Sequence, residues 1–554
     1  MEKPVAAADI LLNRFLYISE TECAYVPGNL FVHQYKKNQE TVFDLVLQLQ
    51  NGGKHNLIEE IFEKYLRSNF VPNNDNAIYV LALCCRRGDM KTSSICYKFV
   101  SRICKTPEDL MLFVKFMCTD FVDTNKKGFG RGMRKALAAW YLSREPLELA
   151  KIVGFCKSKH GRSHKDILSL SHVKSEDGNI NAILTYAVSG YAATKKKFEV
   201  VEGFLEQPFF KLLTDLNEFK LCDDPQKACK FIEIYHFPVT LTPTHLLKSR
   251  QVWEAAVNIF SLKETMHYLH RLQNLGFLNP SNVHSKKILP KVLSYLKDKA
   301  LMQRAKLHPL QAYILLRNYE SGGKPYKFPK CEFKKKALES PDAKPIDPPN
   351  TAIINALKGM VDATMTMHND IGARFMVTLD MRSQMFEAKC CQNPNISPGM
   401  AAIVMALALA RRERECTVAV FTERGVQPVG LKDCSLQVAV DKLKNIKAGN
   451  VRMHKPIEWC ISKKKQIDVF INIMECPSRL ASTSSEESKE RKCVIQELVK
   501  YRSKMNIPNC KLVSMFLARH NPAVGRNYIN CIDFGGLDEN IPKIVEHFAK
   551  DHFK

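Results

Sequence analysis

The sequence predicts two folds in series: a stack of paired helices of the HEAT-like α-solenoid kind, then a doubly wound α/β domain. Three observations carry this. Apolar residues keep a helical period almost without a break from about residue 38 to 322. After residue 350, short continuous apolar runs alternate with helical segments, the pattern of a mostly parallel sheet covered on both faces. Between the two, composition changes: Gly322-Gly323-Lys324-Pro325, a basic run from Lys330 to Lys336 and Asp347-Pro348-Pro349 read as a linker or an exposed strap. The break divides the chain into a helical domain, 1–345, and an α/β domain, 346–554.

In the first domain, helical segments are expected at 56–68, 77–87, 93–105, 107–117, 131–144, 146–157, 252–260 and 265–275. Pro, Gly, Asn and Asp punctuate them, as helix stops and starts should. No crisp repeat recurs, yet helix-turn-helix units of this length stack into irregular solenoids, whose concave face suits an extended partner. Ser163-His164-Lys165-Asp166 has the layout of a capping box. In the second domain, strands are expected at 375–380, 416–422, 468–474 and 511–517, with helices at 352–365, 400–411, 436–446 and 541–550. Ligands of such sheets bind at the carboxyl ends of the strands, where Asp380 lies. The Ser-rich segment 478–488 has acidic neighbours and reads as a mobile loop open to phosphorylation.

The chain has 554 residues, 45% of them hydrophobic and 25% charged, which allows two to four domains with sizeable cores. The formal charge of +25 favours a polyanionic partner, nucleic acid first and an anionic membrane surface second. No apolar run reaches the length of a membrane span, and the first residues carry no signal-peptide pattern. The 19 cysteines include no Cys-x-x-Cys, so reduced thiols in a cytoplasmic protein are expected. Basic runs such as Lys463-Lys464-Lys465 suit nuclear import and surface charge equally.

The charge concentrates in two neighbouring stretches. In Gly128-Phe129-Gly130-Arg131-Gly132-Met133-Arg134-Lys135, continued through Tyr141, Arg131, Arg134 and Lys135 share one helical face. Met133, Leu137, Trp140 and Tyr141 fill the opposite stripe. Lys157, Lys159, His160, Arg162, His164 and Lys165 then gather at the mouth of the next helix. Two clusters of donors on adjacent helix starts make an anion site. The plain alternative is a solvated basic face on structural helices. For His160, His164 and His172, contact with RNA competes with capping and packing. Metal binding is disfavoured, since Gly161 weakens any helix between His160 and His164. The Gly128-x-Gly130-x-Gly132 run follows no strand and lacks a closing Lys-Ser/Thr, so it is no nucleotide loop. No carboxylate cluster suited to hydrolysis is visible, and no enzyme is expected.

These motifs carry a resemblance. The run Phe129 to Tyr141, the run Gly161 to His172, His245 to Ser249 with Trp253, and His308-Pro309 are similar to the signature of the TROVE module. From about Asn13 onward the chain resembles the 60 kDa SS-A/Ro ribonucleoprotein family, a TROVE domain followed by a von Willebrand factor A-type domain. The resemblance implies a ring of HEAT-like repeats closed by the A-type domain. It implies small noncoding Y RNA on the outer surface and single-stranded 3′ ends of misfolded RNA in a basic central pore. A protein monomer with no membrane partner is expected, and the rival reading is a diverged paralogue that has lost RNA work and contacts other proteins through the A-type domain. The family's RNA-contacting positions fall on Lys159 and His172, with Arg131, Arg134, Lys135, His164 and Lys165 in the matching basic motifs. One family lysine aligns with Phe155, and Lys157 could take over its contact. The family's metal site uses an Asp-x-Ser-x-Ser loop, a Thr and an Asp, because a hard divalent ion wants several oxygens. Here the loop reads Asp380-Met381-Arg382-Ser383-Gln384, the Thr falls on Val451 and the last acid on Glu475. Arg382 is a built-in competing cation. The expectation is therefore no divalent cofactor; any residual site would keep only Asp380, Ser383 and Glu475.

Overall fold

The computed structural model describes residues 7–27, 35–68, 74–120, 129–283, 285–322, 348–476, 484–519 and 528–553. Gly128, the linker at 323–347 with its basic run, and 478–483 of the Ser-rich segment lie outside the described residues. The chain forms two compact units. A helical unit comprises Ala7–Ser19 and Leu30–Ile259; a sheet unit comprises Glu20–Asn29 and Phe260–Lys554. The division falls earlier than the composition break, because helices after Phe260 pack with the helix Thr351–Thr364 that opens the α/β region (below).

The helical unit contains α1 (Ala8–Ile18), α2 (Tyr35–Asn51), α3 (His55–Arg67), α4 (Asp75–Arg87), α5 (Met90–Tyr97), α6 (Val100–Ile103), α7 (Pro107–Lys115), α8 (Arg131–Leu142), α9 (Pro146–Phe155), α10 (His164–Ser171), α11 (Gly178–Ser189), α12 (Tyr191–Phe198), α13 (Pro208–Lys220), α14 (Pro225–Tyr235) and α15 (Arg250–Ile259). Local chemistry sets the starts. Pro107 and a Thr106–Asp109 capping box open α7, and Asp89 accepts from the Thr92 N–H at the head of α5. The single helix expected over 93–105 is two. At Lys98 and Phe99 the backbone tightens to i→i−3 bonds, onto Ile95 and Cys96, and this turn drives Phe99 into the core.

The sheet unit begins with α16 (Leu262–Asn274), α17 (Ser285–Lys297), α18 (Lys299–Arg304) and α19 (Pro309–Glu320). Both α17 and α19 pack on α20 (Thr351–Thr364). Seven strands follow the order β1-β9-β8-β7-β4-β5-β6, where β1 is Ala24–Tyr25, β4 Phe375–Leu379, β5 Cys416–Thr422, β6 Gly425–Val429, β7 Val469–Met474, β8 Lys511–Phe516 and β9 Cys531–Gly535. All neighbours run parallel except β5 and β6. The four strands expected from sequence are β4, β5, β7 and β8, and β4, β7 and β8 are buried at every position. Strands β1, β6 and β9 were not expected. β6 is a half-exposed edge interrupted by Pro428, and β9 carries a buried Asp533. β1 is two residues long and exists through its parallel pairing with β9. The Ser-rich loop reading is also corrected: residues 484–488 begin the helix Ser484–Met505, whose later apolar positions Val494, Leu498 and Tyr501 are buried in the sheet unit's core.

Candidate nucleic-acid interface

Helix α8 orients the first basic cluster. Met133, Leu137, Trp140 and Tyr141 are buried as their spacing requires, and Arg131, Arg134 and Lys135 are exposed. Trp140 pins the helix: its indole N–H donates to the Cys104 carbonyl at 2.6 Å, and the Arg144 guanidinium lies 3.7 Å over its ring. With this stripe anchored, the three cations point to water.

The second cluster stands on a hairpin. β2 (Ser158–Lys159) pairs antiparallel with β3 (Arg162–Ser163), Lys159 opposite Arg162. The two-residue turn is His160-Gly161, at φ 53° and 72°. Positive φ at both central positions is the type I′ geometry that matches strand twist. Lys157 and Lys159 are exposed on its first arm, and α7 packs against both arms. The hairpin feeds α10 through a full capping box: Ser163 Oγ accepts from the Asp166 N–H, and the Asp166 carboxylate accepts from the Ser163 N–H.

Here one expected RNA contact is overturned. His164 is only 2% exposed. Its Nδ1 shares a 2.7 Å hydrogen bond with the Tyr141 hydroxyl, edge-on to that ring. Burial pushes its imidazole down to about 4, so at neutral pH it is an uncharged core residue joining α8 to α10. Its neighbour Lys165 is exposed. His172 is exposed too, in left-handed geometry at the C-cap of α10, where its N–H caps the Leu168 carbonyl. Helix α10 packs on α8 and α11, which brings the two clusters onto neighbouring elements. Among the described residues, Arg131, Arg134, Lys135, Lys157, Lys159, Lys165 and His172 take part in no ion pair. Phe155, at the aligned lysine position, packs edge-on against buried Phe237 with ring centres 5.6 Å apart. That position serves packing in this chain, and Lys157, two residues on, is exposed.

In the sheet unit, Asp380 ends β4 and Glu475 follows β7, the adjacent strand. This is the crevice where the strand order reverses. Asp380 is 1% exposed, and the Arg382 fork spans it: Nε lies 2.9 Å from Oδ1 and Nη2 2.8 Å from Oδ2. Ser383 is exposed beside it, and Val451, at the threonine position, is buried and has no side-chain oxygen. This donor set does not fit a hard divalent cation.

Residues 6–321 match the family model described as the TROVE domain, and residues 374–549 match the one described as the Ro60 vWA domain. A Deinococcus radiodurans protein named RNA-binding protein RO60 is 23% identical over 465 residues, 83% of this chain and 79% of that one. A Caenorhabditis elegans protein of the same name is 20% identical over 562 residues, 90% of this chain and 82% of its own. The crystal structure of the Deinococcus radiodurans RO (RSR) protein superposes with a TM-score of 0.76 at 20% identity, covering 98% of this chain and 100% of that one.

Proposed function

The chain belongs to the TROVE-domain family, with a Ro60-type vWA domain after it, and from that premise we propose that it is a noncatalytic RNA-binding protein. The observation that carries the reading is the set of cations Arg131, Arg134, Lys135, Lys157, Lys159 and Lys165, exposed together on α8, the hairpin and α10. Two relatives named as RNA-binding proteins support it. Cations on rigid elements neutralise phosphates and release counterions, which supplies affinity without reading sequence. Duplex parts of a structured RNA are then recognised by backbone and shape. The finer reading is a Y-type small noncoding RNA on this face, with unpaired 3′ ends of misfolded RNA handled in a pore. The site is expected to act in the cytoplasm and without a divalent ion. That finer reading rests on the resemblance and on the chain's charge.

The test is a titration of a structured small RNA across a salt series. Wild type should show log K falling linearly with log salt. Arg134→Glu with Lys159→Glu should lower affinity and flatten that slope. Binding and slope equal to wild type would remove the assignment. A second reading, a protein-interaction adaptor acting through the vWA domain, is favoured by the Arg382–Asp380 pair alone. Native protein that copurifies with protein partners and no discrete small RNA would decide for it.

A further inference from the structure

Beside the basic face of α8 lies an open groove of about 950 Å³, within the size range of small-molecule sites. It is built wholly within the helical unit, from the end of α4, from α5 and Lys98 after it, from Met117, and from Gly130 and α8. Its floor is small or apolar: Gly88, Ser93, Gly132, Met133, Ala136 and Ala139. Gly132 has a specific job there. A Cβ at that position would sit 2.6 Å from Cε2 of Tyr97, so only glycine lets the half-buried Tyr97 ring lie against α8. Met90 stands at the mouth, 89% exposed. An exposed thioether is a soft, adaptable wall.

The rim is cationic. Among the described residues, Arg86, Lys98 and Lys135 line the groove against one acid, Asp89. That acid is already engaged: one oxygen accepts from the Thr92 N–H at 2.8 Å and the other lies 2.7 Å from His55 Nε2. Lys98 and Lys135 are exposed, and among the described residues neither is in an ion pair. Lys135 also joins the groove to the basic face. At 3.6 residues per turn, Arg131 and Arg134 fall on one side of it around α8, and Gly132, Ala136 and Ala139 on the other. A strand whose phosphates follow Arg134, Arg131 and Lys135 would therefore reach the groove with its next nucleotide.

We infer that this groove takes an unpaired RNA base, with the flanking phosphates on Lys135 and Lys98 and the base against Tyr97 and Met90. The chemistry is that of single-strand platforms, where cations track the backbone and an aromatic face accepts any base. The groove would thus make this face prefer RNA with an unpaired segment next to its duplex. The inference rests on the RNA-binding reading above.

The test uses the full-length protein and two RNAs, one hairpin with a single-stranded extension and the same hairpin blunt. Tyr97→Leu removes the stacking surface, and Ala139→Leu fills the groove from an exposed position. Each should weaken binding of the extended RNA by about tenfold and leave the blunt hairpin unchanged. Lys98→Glu, a surface change, covers the case in which Tyr97→Leu lowers folding stability; it should show the same selectivity. A 4-thiouridine in the extension should crosslink to the Met90–Tyr97 segment. Groove variants that bind both RNAs like wild type, or crosslinks only elsewhere, would overturn the groove while leaving the basic face intact. Wild type that binds neither RNA would overturn both readings. Groove variants that keep RNA binding and lose an acidic peptide ligand would assign the groove to protein instead.

Discussion

Arg382 lies across Asp380 as a two-pronged fork, Nε to Oδ1 at 2.9 Å and Nη2 to Oδ2 at 2.8 Å, at the strand end where the strand order reverses. The Arg382 backbone N–H adds a third bond to Oδ1 at 3.1 Å. A buried carboxylate held this way has its counter-ion inside the chain. The carboxylate and the nearby Glu475 and Glu423 in turn raise the guanidinium's own pKa.

Removing that guanidinium leaves Asp380 buried without its partner. Arg382→Ala should therefore destabilise the protein by about 3 kcal/mol, the cost of breaking a buried pair from one side. Thermal melting in chelator measures it, and wild type should melt at the same temperature with or without Mg²⁺. Arg382→Ser with Gln384→Ser restores oxygens to the loop, and its melting point should rise with Mg²⁺. A wild-type melting point that climbs with Mg²⁺ would contradict the arginine's role.

How far the sequence disclosed this depends on the range of the interactions. β4 was legible because four of its five residues, all but Thr378, are apolar, and the α10 start because Ser163 and Asp166 are three apart. The outward face of α8 followed from its period. The burial of His164 was not legible. Its partner Tyr141 is 23 positions away, and a histidine among Lys157, Lys159 and Lys165 looks like one more cation. The hairpin was missed because its turn is His-Gly, where Asn-Gly or Asp-Gly is the usual signal. The groove against α8 needs Tyr97 to meet Gly132 across two other helices in sequence, which no local pattern encodes.

His164 gives the helical unit a pH dependence. Its folded-state pKa, about 4, lies below the value near 6.5 expected in the unfolded chain. Between those values the unfolded state binds the extra proton. Its contribution is therefore complete above about pH 6.5 and is lost as pH falls toward 4, at most about 3 kcal/mol. His547 is also pushed down to about 4 by burial and acts in the same direction in the sheet unit. Melting temperature against pH should fall through this window for wild type. His164→Phe should flatten part of that fall while leaving RNA affinity at pH 7.5 within about twofold. A large affinity loss in a folded His164→Phe would return this residue to the interface.

The hairpin turn offers a cleaner test of backbone chemistry. Gly161 has φ 72°, and a Cβ there would meet nothing within 4 Å. Gly161→Ala therefore costs conformational energy alone, about 1 kcal/mol. His160, at φ 53°, bears that strain already. His160→Asn, better suited to left-handed geometry, should raise the melting point slightly, and Gly161→Val should lower it more than Gly161→Ala. Because Lys159 and Arg162 face each other across this turn, Gly161→Val should also weaken RNA binding although it removes no charge.

Lys157 and Phe155 separate charge from packing at one edge of the same face. Phe155 sits on Phe237 within an aromatic cluster, and Phe219 and Tyr235 pack on that same ring at 5.0 and 5.2 Å. Phe155→Lys would place an ammonium where a ring now packs, so it should cost about 1 to 2 kcal/mol of stability. The Lys157 side chain is exposed and outside any ion pair among the described residues, while its backbone carbonyl accepts from the His164 N–H. Lys157→Ala should therefore leave melting unchanged. If a phosphate rests on it, the salt slope of RNA binding should fall by about one. Equal slopes for wild type and Lys157→Ala would place the RNA backbone elsewhere on the face, nearer Arg134 and Lys165. A lowered slope with unchanged melting would mark Lys157 as the charge that stands in for the lysine absent at 155.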